Sequence, residues 1–146
     1  MNRNIENTTF ITRNLVPDIE RTKIVAELFG IDFPTKLEPY IYAVSSNLAK
    51  AYRGGYWQFF RLDNGGFYMS PLTDKDFEVA CDNGYEGRLS ADALGISACL
   101  YAYSHLSFGG ESVFAEVCAE QFHLLVRVRP GPPGGAVYSG GDRLRH

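Results

Sequence analysis

The stretch YRGGYWQFFRLDNGGFYMSP, residues 52–71, determines how the rest of the chain is arranged. Two aromatic runs, 56–62 and 67–69, flank the tetrapeptide DNGG at 63–66. Because Asn and Gly tolerate positive φ, this spacing predicts a β-hairpin with a glycine-containing loop. Neither face of the first run is plainly polar. We therefore expect a hairpin that is covered on one side and partly exposed on the other, where a partner would bind.

The bulk composition is that of one globular domain. The chain has 146 residues, of which 45% are hydrophobic and 21% charged. No apolar run approaches the ~18 residues needed to cross a bilayer, and MNRNIENTTF lacks the apolar core of a secretory signal. Three widely spaced cysteines do not suggest a disulfide framework. A cytoplasmic protein with no membrane partner is expected.

Charge is spread unevenly along the chain. Its formal net charge is -3, with 14 basic and 17 acidic residues. Residues 126–146 contain four Arg and one Asp, so the first 125 residues hold 10 basic and 16 acidic side chains, a balance of -6. A mildly acidic body is unsuited to tight binding of duplex phosphate.

The first half of the chain predicts a strand and two helices. Residues 8–16 are β-branched and alternate as in a strand. Pro17 opens a helix with acids in its first turn, and Gly30 ends it. A second helix begins between residues 34 and 39 and runs to 51, with an apolar residue at each helical spacing.

The second half predicts a third strand and two more helices. Residues 77–81 alternate and are expected to pair with the hairpin. Ser90 caps a helix over 91–106 that is apolar nearly all round and so should be central and buried. Gly95 inside it indicates the close approach of a backbone or a ring, with the hairpin aromatics as the expected neighbour. The last helix runs from about 113 to 125.

This order of elements predicts an α+β fold. We expect a small antiparallel sheet, made of the aromatic hairpin and neighbouring strands, packed against about four helices. The domain spans residues 1–125, and residues 126–146 form a tail rich in Gly, Pro and Arg that should be disordered because it has little to bury.

Two further interpretations of the tail remain. It could be a basic arm that contacts nucleic acid. Alternatively, synonymous codons can be chosen so that the next reading frame encodes an amphipathic, Gly-free helical string containing HPEA and ending in AID. The tail is then a frameshifted C-terminal helix, a hypothesis that the codons of the gene decide.

Signals for catalysis and for metals are weak. His105 and His123 lack metal-ligand spacing, and Cys99 falls in the most apolar helix, where a thiol stays protonated. The pairs Gly54-Gly55 and Gly65-Gly66 lack the Lys-Ser/Thr of a phosphate loop and are interpreted as bends. We expect no enzyme activity, cofactor or metal. A mild acidic cluster is interpreted as a solvated rim; its members are Asp74, Asp76, Glu78, Asp82, Glu86 and Asp92.

One alternative function starts from the aromatic rings. A hairpin with Tyr56 and Trp57 exposed could stack single-stranded nucleic acid, helped by the basic tail. Only Arg53 and Arg61 supply positive charge within the stretch, which is less than a groove that follows the phosphate backbone needs. Core packing is the competing interpretation of most of these rings.

Three motifs carry a resemblance to a known family. GGYWQFF, NGGFYMSP and LSADALGI, in this order, resemble the ArdB/KlcA antirestriction family over residues 16–125. The resemblance implies a compact α+β fold in a small cytoplasmic protein, commonly encoded on plasmids and other mobile elements. It also implies protection of incoming DNA from type I restriction–modification enzymes. Family members end in a helical segment with HPEA, from which this chain departs.

The resemblance implies partners and candidate residues. The partner is a type I restriction–modification enzyme or its DNA-bound complex, with DNA a further candidate. DNA carries about one charge per 1.7 Å of axis, which a body at -6 does not imitate, so non-mimetic inhibition is expected. The partner-binding candidates are Arg21, Glu38, Tyr56, Trp57 and Arg61. The motif positions with structural roles are Gly54, Gly55, Asn64, Gly65, Gly66, Tyr68, Ser90, Asp92 and Gly95.

Overall fold

In a computed structural model of the chain, residues 11–81 and 83–128 are described and form five strands and four helices. The strands are β1 (Arg13–Leu15), β2 (Trp57–Leu62), β3 (Phe67–Pro71), β4 (Asp76–Ala80) and β5 (Glu86–Ser90). The helices are α1 (Arg21–Phe29), α2 (Glu38–Leu48), α3 (Ala91–Leu106) and α4 (Val113–Leu125). A 3-10 turn (Asp18–Glu20) leads into α1, and a π-helical segment (Phe33–Leu37) leads into α2. The predicted α+β class is confirmed.

The predicted hairpin is present as β2 and β3. It belongs to a three-stranded antiparallel sheet in the order β1-β2-β3, with Trp57 opposite Pro71. In its loop the backbone N–H of Gly66 donates to Asn64 Oδ1 at 2.9 Å, and Gly65 has a φ of 95°. The Asn64 side chain also donates to the carbonyl of Leu124 in α4 at 3.0 Å. The loop therefore turns the chain and attaches it to α4.

The expected exposed side of the hairpin is absent from the described structure. All five residues of β3 are buried, and Trp57 is only 2% exposed. One face packs its rings against α1 and the π-helical segment: Phe59 and Phe67 both lie edge-on to Phe33, with centroids 5.7 and 6.1 Å away. On the other face, the Arg13 guanidinium lies 4.1 Å above the Phe60 ring. Both faces are covered because elements distant in sequence pack on each.

The first two helices follow the prediction closely. Gly30 ends α1 with a φ of 66°, a conformation that favours glycine. Val25 and Phe29 of α1 are buried, as are Ile41 and Leu48 of α2. Helix α2 ends at Leu48, three residues earlier than predicted.

Helix α3 is the buried centre of the fold. The Ser90 hydroxyl accepts a hydrogen bond from the backbone N–H of Ala93 at 3.1 Å, which confirms the predicted cap. A Cβ on Gly95 would lie 2.3 Å from the carbonyl oxygen of Met69 and 2.4 Å from the Cβ of Ser70. The close approach is confirmed, and the neighbour is the backbone of β3 instead of an aromatic ring.

The third predicted strand pairs with a different partner. Strand β4 pairs with β5 in a separate two-stranded sheet, and an isolated bridge joins Val79 to Ala49. It does not extend the hairpin, because side chains from α3 and α4 already occupy the outer edge of β3. Gln121 Oε1 accepts from the N–H of Phe67 at 2.8 Å, and the Tyr103 hydroxyl donates to its carbonyl at 2.8 Å. The prediction that residues 77–81 pair with the hairpin was wrong.

The C-terminal end of the described chain packs on the core. Val126 caps the C-terminal end of α4, and Val128 is buried at 6% exposure. Residues 129–146, which include most of the predicted tail, lie outside the described residues, as do residues 1–10 and 82. No helix in the described ranges has both the length and the apolar character required to cross a membrane.

Candidate functional site

Arg21, the first residue of α1, connects three segments of the chain. Its side chain is 21% exposed, and its guanidinium lies 4.1 Å from the centroid of Phe59 and 4.7 Å from that of Tyr56. One Nη donates to the Tyr56 hydroxyl at 2.9 Å and to the carbonyl of Trp57. Its Nε lies 3.4 Å from a carboxylate oxygen of Asp18. A planar guanidinium can stack and donate at once, which a lysine cannot do.

Tyr56 and Asp18 complete a closed triangle with Arg21. The Tyr56 hydroxyl donates to the Asp18 carboxylate while it accepts from Arg21. The hydrogen bond to Asp18 raises the pKa of Tyr56 above its ordinary value, because the protonated hydroxyl is the form that donates to the carboxylate. Its ring is 49% exposed, as the sequence led us to expect. Tyr56 is therefore the aromatic residue of this cluster that solvent or a partner can reach.

Trp57 is buried beneath this cluster, which corrects the expectation that it is exposed. Its Nε1–H donates to the Tyr52 hydroxyl at 2.9 Å. The Tyr42 and Tyr52 rings lie edge-on to the indole, with centroids 5.2 and 5.9 Å away. Since its backbone carbonyl accepts from Arg21, Trp57 supports the site from below and does not contact a partner directly.

Glu38 is the first residue of α2. Its Oε2 accepts from the Tyr42 hydroxyl at 2.8 Å, one helical turn further along. Burial is the main cause that raises the pKa of Tyr42, and this hydrogen bond is the second. The phenol therefore stays protonated and donates to Glu38. The carboxylate is half-buried and lies in the first helical turn, where the helix dipole favours a negative charge.

Arg21 and Glu38 line the same apolar groove. The groove has a volume of about 530 Å³ and lies between α1, the π-helical segment and β2. Ile31 beside it is 73% exposed. The groove therefore combines an apolar surface with one cation and one anion, which suits a protein segment with an apolar side chain. Its other lining residues are Thr22, Val25, Ala26, Gly30, Phe33, Pro34 and Phe59.

Arg61 lies apart from this group. Its Nε donates to the carbonyl of Gly66 at 3.3 Å, inside the hairpin, and it does not line the groove. Gly54 and Gly55 carry the chain into β2 with φ values of 93° and 115°, so they form a bend, as predicted. Of the five partner-binding candidates, four are joined in one network: Arg21, Glu38, Tyr56 and Trp57.

Sequence reasoning missed three members of this network: Asp18, Tyr42 and Tyr52. Two of them leave a signal in the sequence. Asp18 precedes Arg21 by three residues and Tyr42 follows Glu38 by four, the spacings at which side chains meet on a helix. Tyr52 reaches Trp57 through the bend at Gly54-Gly55 and leaves no comparable pattern.

A second polar cluster lies inside the fold. Asp92, in the first turn of α3, is only 5% exposed and so is not part of a solvated acidic rim, which corrects its interpretation. Its Oδ1 accepts from Arg13 at 2.8 Å and from the Tyr68 hydroxyl at 2.7 Å. Burial is the main cause that raises the pKa of Tyr68. A single acid in an otherwise apolar helix is the sequence signal for such a buried pair.

Among the described residues, Cys99 and Cys118 are buried thiols, and His105 lies on the surface. Burial raises the pKa of Cys99 and that of Cys118 to about 12, so both thiols are protonated at neutral pH. His105 is exposed and stacks on Tyr40, with ring centroids 4.8 Å apart. Within residues 11–81 and 83–128, no group of three or more His, Cys, Asp and Glu side chains is arranged to hold a metal ion.

Comparisons with known proteins agree with this fold. The family model described as antirestriction protein matches residues 50–128. The antirestriction protein KlcA of Escherichia coli is 33% identical over 132 residues, which cover 88% of this chain and 92% of that protein. The uncharacterized protein YafX of Escherichia coli strain K12 is 41% identical over 99 residues, 65% of each chain.

A solved structure is similar over most of the chain. It matches with a TM-score of 0.71 and 33% identity, covering 79% of this chain and 82% of that one. Its description attributes to the KlcA and ArdB proteins a novel fold, and antirestriction activity against type I DNA restriction systems in vivo but not in vitro. Fold and sequence therefore point to the same relatives.

Proposed function

The chain belongs to the antirestriction protein family, and from that premise we propose that it inhibits type I restriction–modification enzymes and so protects incoming plasmid or mobile-element DNA. The observation that supports this proposal most strongly is the 33% identity to a solved relative with in vivo activity against type I systems. We propose a non-enzymatic mechanism, in which the chain binds the restriction enzyme or its DNA-bound complex.

The binding surface that we propose is this groove between α1, the π-helical segment and β2, with Glu38 of α2 at its edge. Arg21 is held by Asp18, Tyr56 and the Trp57 carbonyl, and Glu38 is held by Tyr42, so both charged groups are fixed before a partner arrives. Preorganised polar groups beside an apolar surface give binding specificity at little cost in ordering. A short-range contact of this kind needs no dense negative charge.

Charge mimicry of DNA is not part of the proposal. The first 125 residues balance to -6, and two of their acids are engaged with Arg13 and Arg21. A single-strand-binding function is also not proposed, because Tyr56 is the one exposed ring of the described aromatic stretch 56–69 and the rings that would stack beside it are buried. The rings concerned are Trp57, Phe59, Phe60, Phe67 and Tyr68.

Phage plating tests the proposal in cells. Unmodified phage is plated on a strain with a type I restriction system, with and without this chain, and expression should raise plating toward the level of a non-restricting strain. Arg21→Ala and Glu38→Gln should each lower this protection, whereas Lys23→Ala, an exposed cation on the same helix, should not. Immunoblots and thermal melts confirm that each variant is present and folded.

The results separate the function from the site. Equal plating with and without the wild-type chain would refute the antirestriction function itself. Protection that is retained in both Arg21→Ala and Glu38→Gln would keep the function and reject the groove as its surface.

A further inference from the structure

The outer edge of β5 carries backbone groups that no other described strand engages. The N–H of Cys81 donates to the carbonyl of Tyr85 at 2.9 Å, which fixes the alternation of the β4-β5 ladder. By that alternation Tyr85 and Gly87 direct their backbone toward β4, while Glu86 and Arg88 direct theirs away from it. Both residues are exposed, so this edge is open to another strand.

The side chains of β5 alternate between two faces, and on each face they are complementary to those of a second, antiparallel copy of the strand. Glu86 and Arg88 project on one face, and Tyr85, Gly87 and Leu89 on the other. Tyr85 is 51% exposed, and its hydroxyl lies 2.1 Å from where a Cβ on Gly87 would be. The Tyr85 ring therefore covers the glycine and presents an apolar surface beside the open edge.

We propose that β5 pairs with β5 of a second copy of this chain, antiparallel and centred on Gly87. In that register Glu86 stands opposite Arg88 of the second copy, and Tyr85 stands opposite Leu89 of the second copy. Glu86 and Arg88 of each chain direct their backbone groups at the other chain, so four backbone hydrogen bonds close the pair. The product is a continuous four-stranded sheet with two-fold symmetry.

A second copy of β5 gives each residue of this strand a complementary partner. Residues 85–89 of the two copies supply two ion pairs on one face of the sheet and two aromatic–aliphatic pairs on the other. At the centre, Gly87 faces Gly87 of the second copy, so only backbone atoms meet there. Arg88 is 3.6 Å from Asp76 within its own chain, yet its side chain stays 62% exposed and available across the edge. An unrelated strand would need the same alternation of acid, small residue and base.

The dimer is expected to be weak. A strand pairing of five residues buries less than the roughly 1,200 Å² found in stable interfaces, so association should depend on concentration. The inference is independent of the antirestriction function, because β5 contributes no residue to the groove between α1, the π-helical segment and β2.

Sedimentation velocity over a wide concentration range tests the pairing. The wild-type chain should shift from monomer toward dimer as concentration rises. Glu86→Arg and Arg88→Glu each place like charges opposite one another at two symmetry-related positions, so each should weaken self-association by about tenfold or more. Glu116→Arg, an exposed acid on α4, makes the same charge change away from the edge and should dimerise as the wild type does.

Mixing the two variants gives the sharper result. Glu86→Arg and Arg88→Glu chains are each self-repelling, but together they restore opposite charges at every facing position, so the mixture should dimerise like the wild type. Thermal melts of each variant confirm that the monomer is folded. Three results would overturn the proposal. The wild-type chain stays monomeric at all concentrations, the Glu86→Arg chain dimerises as strongly as the wild type, or the mixture does not associate.

Discussion

At the scale of single residues, Trp57 explains why the groove has a fixed shape. The indole lies between Tyr42 and Tyr52, and the backbone carbonyl of Trp57 accepts a hydrogen bond from Arg21. The contacts with Arg21 and Tyr42 join segments far apart in sequence, so the backbone of Trp57 holds Arg21 while its indole packs on Tyr42, which holds Glu38. Trp57 can therefore be buried and still determine where the charged residues of the site lie.

A double-mutant cycle measures the link between Trp57 and Tyr52. Trp57→Phe removes the Nε1–H donor and Tyr52→Phe removes its acceptor, so each should lower the free energy of unfolding. The two changes should couple by about 0.5–1.5 kcal/mol, the net worth of one hydrogen bond, in urea denaturation. Tyr85→Phe, on the distant β4-β5 hairpin, is the control and should add to Trp57→Phe without coupling. Full additivity of the Trp57 and Tyr52 changes would show that the bond contributes nothing.

Cys99 gives the protein a defined response to alkaline pH. Burial raises the pKa of this thiol from 9.0 to about 12. Above pH 9 the unfolded chain therefore loses this proton while the folded chain keeps it, and the free energy of unfolding falls as pH rises toward 12. In Cys99→Ala the decline should be shallower, with Cys118 and the buried tyrosines supplying the remainder. Melting temperatures measured in steps from neutral pH upward make the comparison. Parallel curves for the two proteins would contradict the assignment.

At the scale of elements, the contact between α3 and β3 fixes the core. Because Gly95 has no side chain, the backbone at Met69 and Ser70 lies in the space that a methyl group on residue 95 would fill. Tyr103 and Gln121 then satisfy the outer edge of β3, so helices α3 and α4 replace the strand that would otherwise extend the sheet.

Substitution of Gly95 separates helix propensity from packing. Propensity alone predicts that Gly95→Ala stabilises the helix by about 1 kcal/mol. The added Cβ would lie 2.3 Å from a carbonyl oxygen of β3, so we expect instead a net loss of about 1–3 kcal/mol in urea denaturation. Gly109→Ala, in the exposed turn after α3, should change stability by less than about 1 kcal/mol. A stabilised Gly95→Ala protein would contradict the packing described.

Local signals in the sequence were enough to predict most of the elements. The cap at Ser90, the helix end at Gly30 and the hairpin loop at Asn64 each depend on neighbours within a few residues, and all three are confirmed. Strand β5 was not predicted, because EGRLS has too few apolar residues to show alternation. The separation of the two sheets also was not predicted, since Gln121 satisfies a strand edge 54 residues away.

The sequence singled out four residues of the candidate site but neither its other members nor its layout. Arg21, Glu38 and Tyr56 are where a partner can reach them, whereas Trp57 is not. Its burial depends on Tyr42 of α2 packing over β2, a contact that no local pattern encodes. Asp92 was misplaced for the same reason, because its partner Arg13 lies 79 residues earlier.

At the scale of the whole molecule, we propose that a shaped groove, and not a field of negative charge, inhibits restriction. The first 125 residues balance to only -6. The groove is apolar along most of its lining, with Arg21 and Glu38 as its charged members. Inhibition through such a surface should therefore respond to its shape as well as to these two charges.

Filling the groove without changing any charge is the most direct test. Ala26→Phe places a ring in the groove from an exposed position of α1, and Ala43→Phe makes the same change at an exposed position of α2 that does not line it. Phage plating on a type I restricting strain is measured for both, with melting temperatures to confirm folding. If the groove is the inhibitory surface, Ala26→Phe loses protection while Ala43→Phe protects as the wild type does. Full protection by a folded Ala26→Phe chain would contradict it.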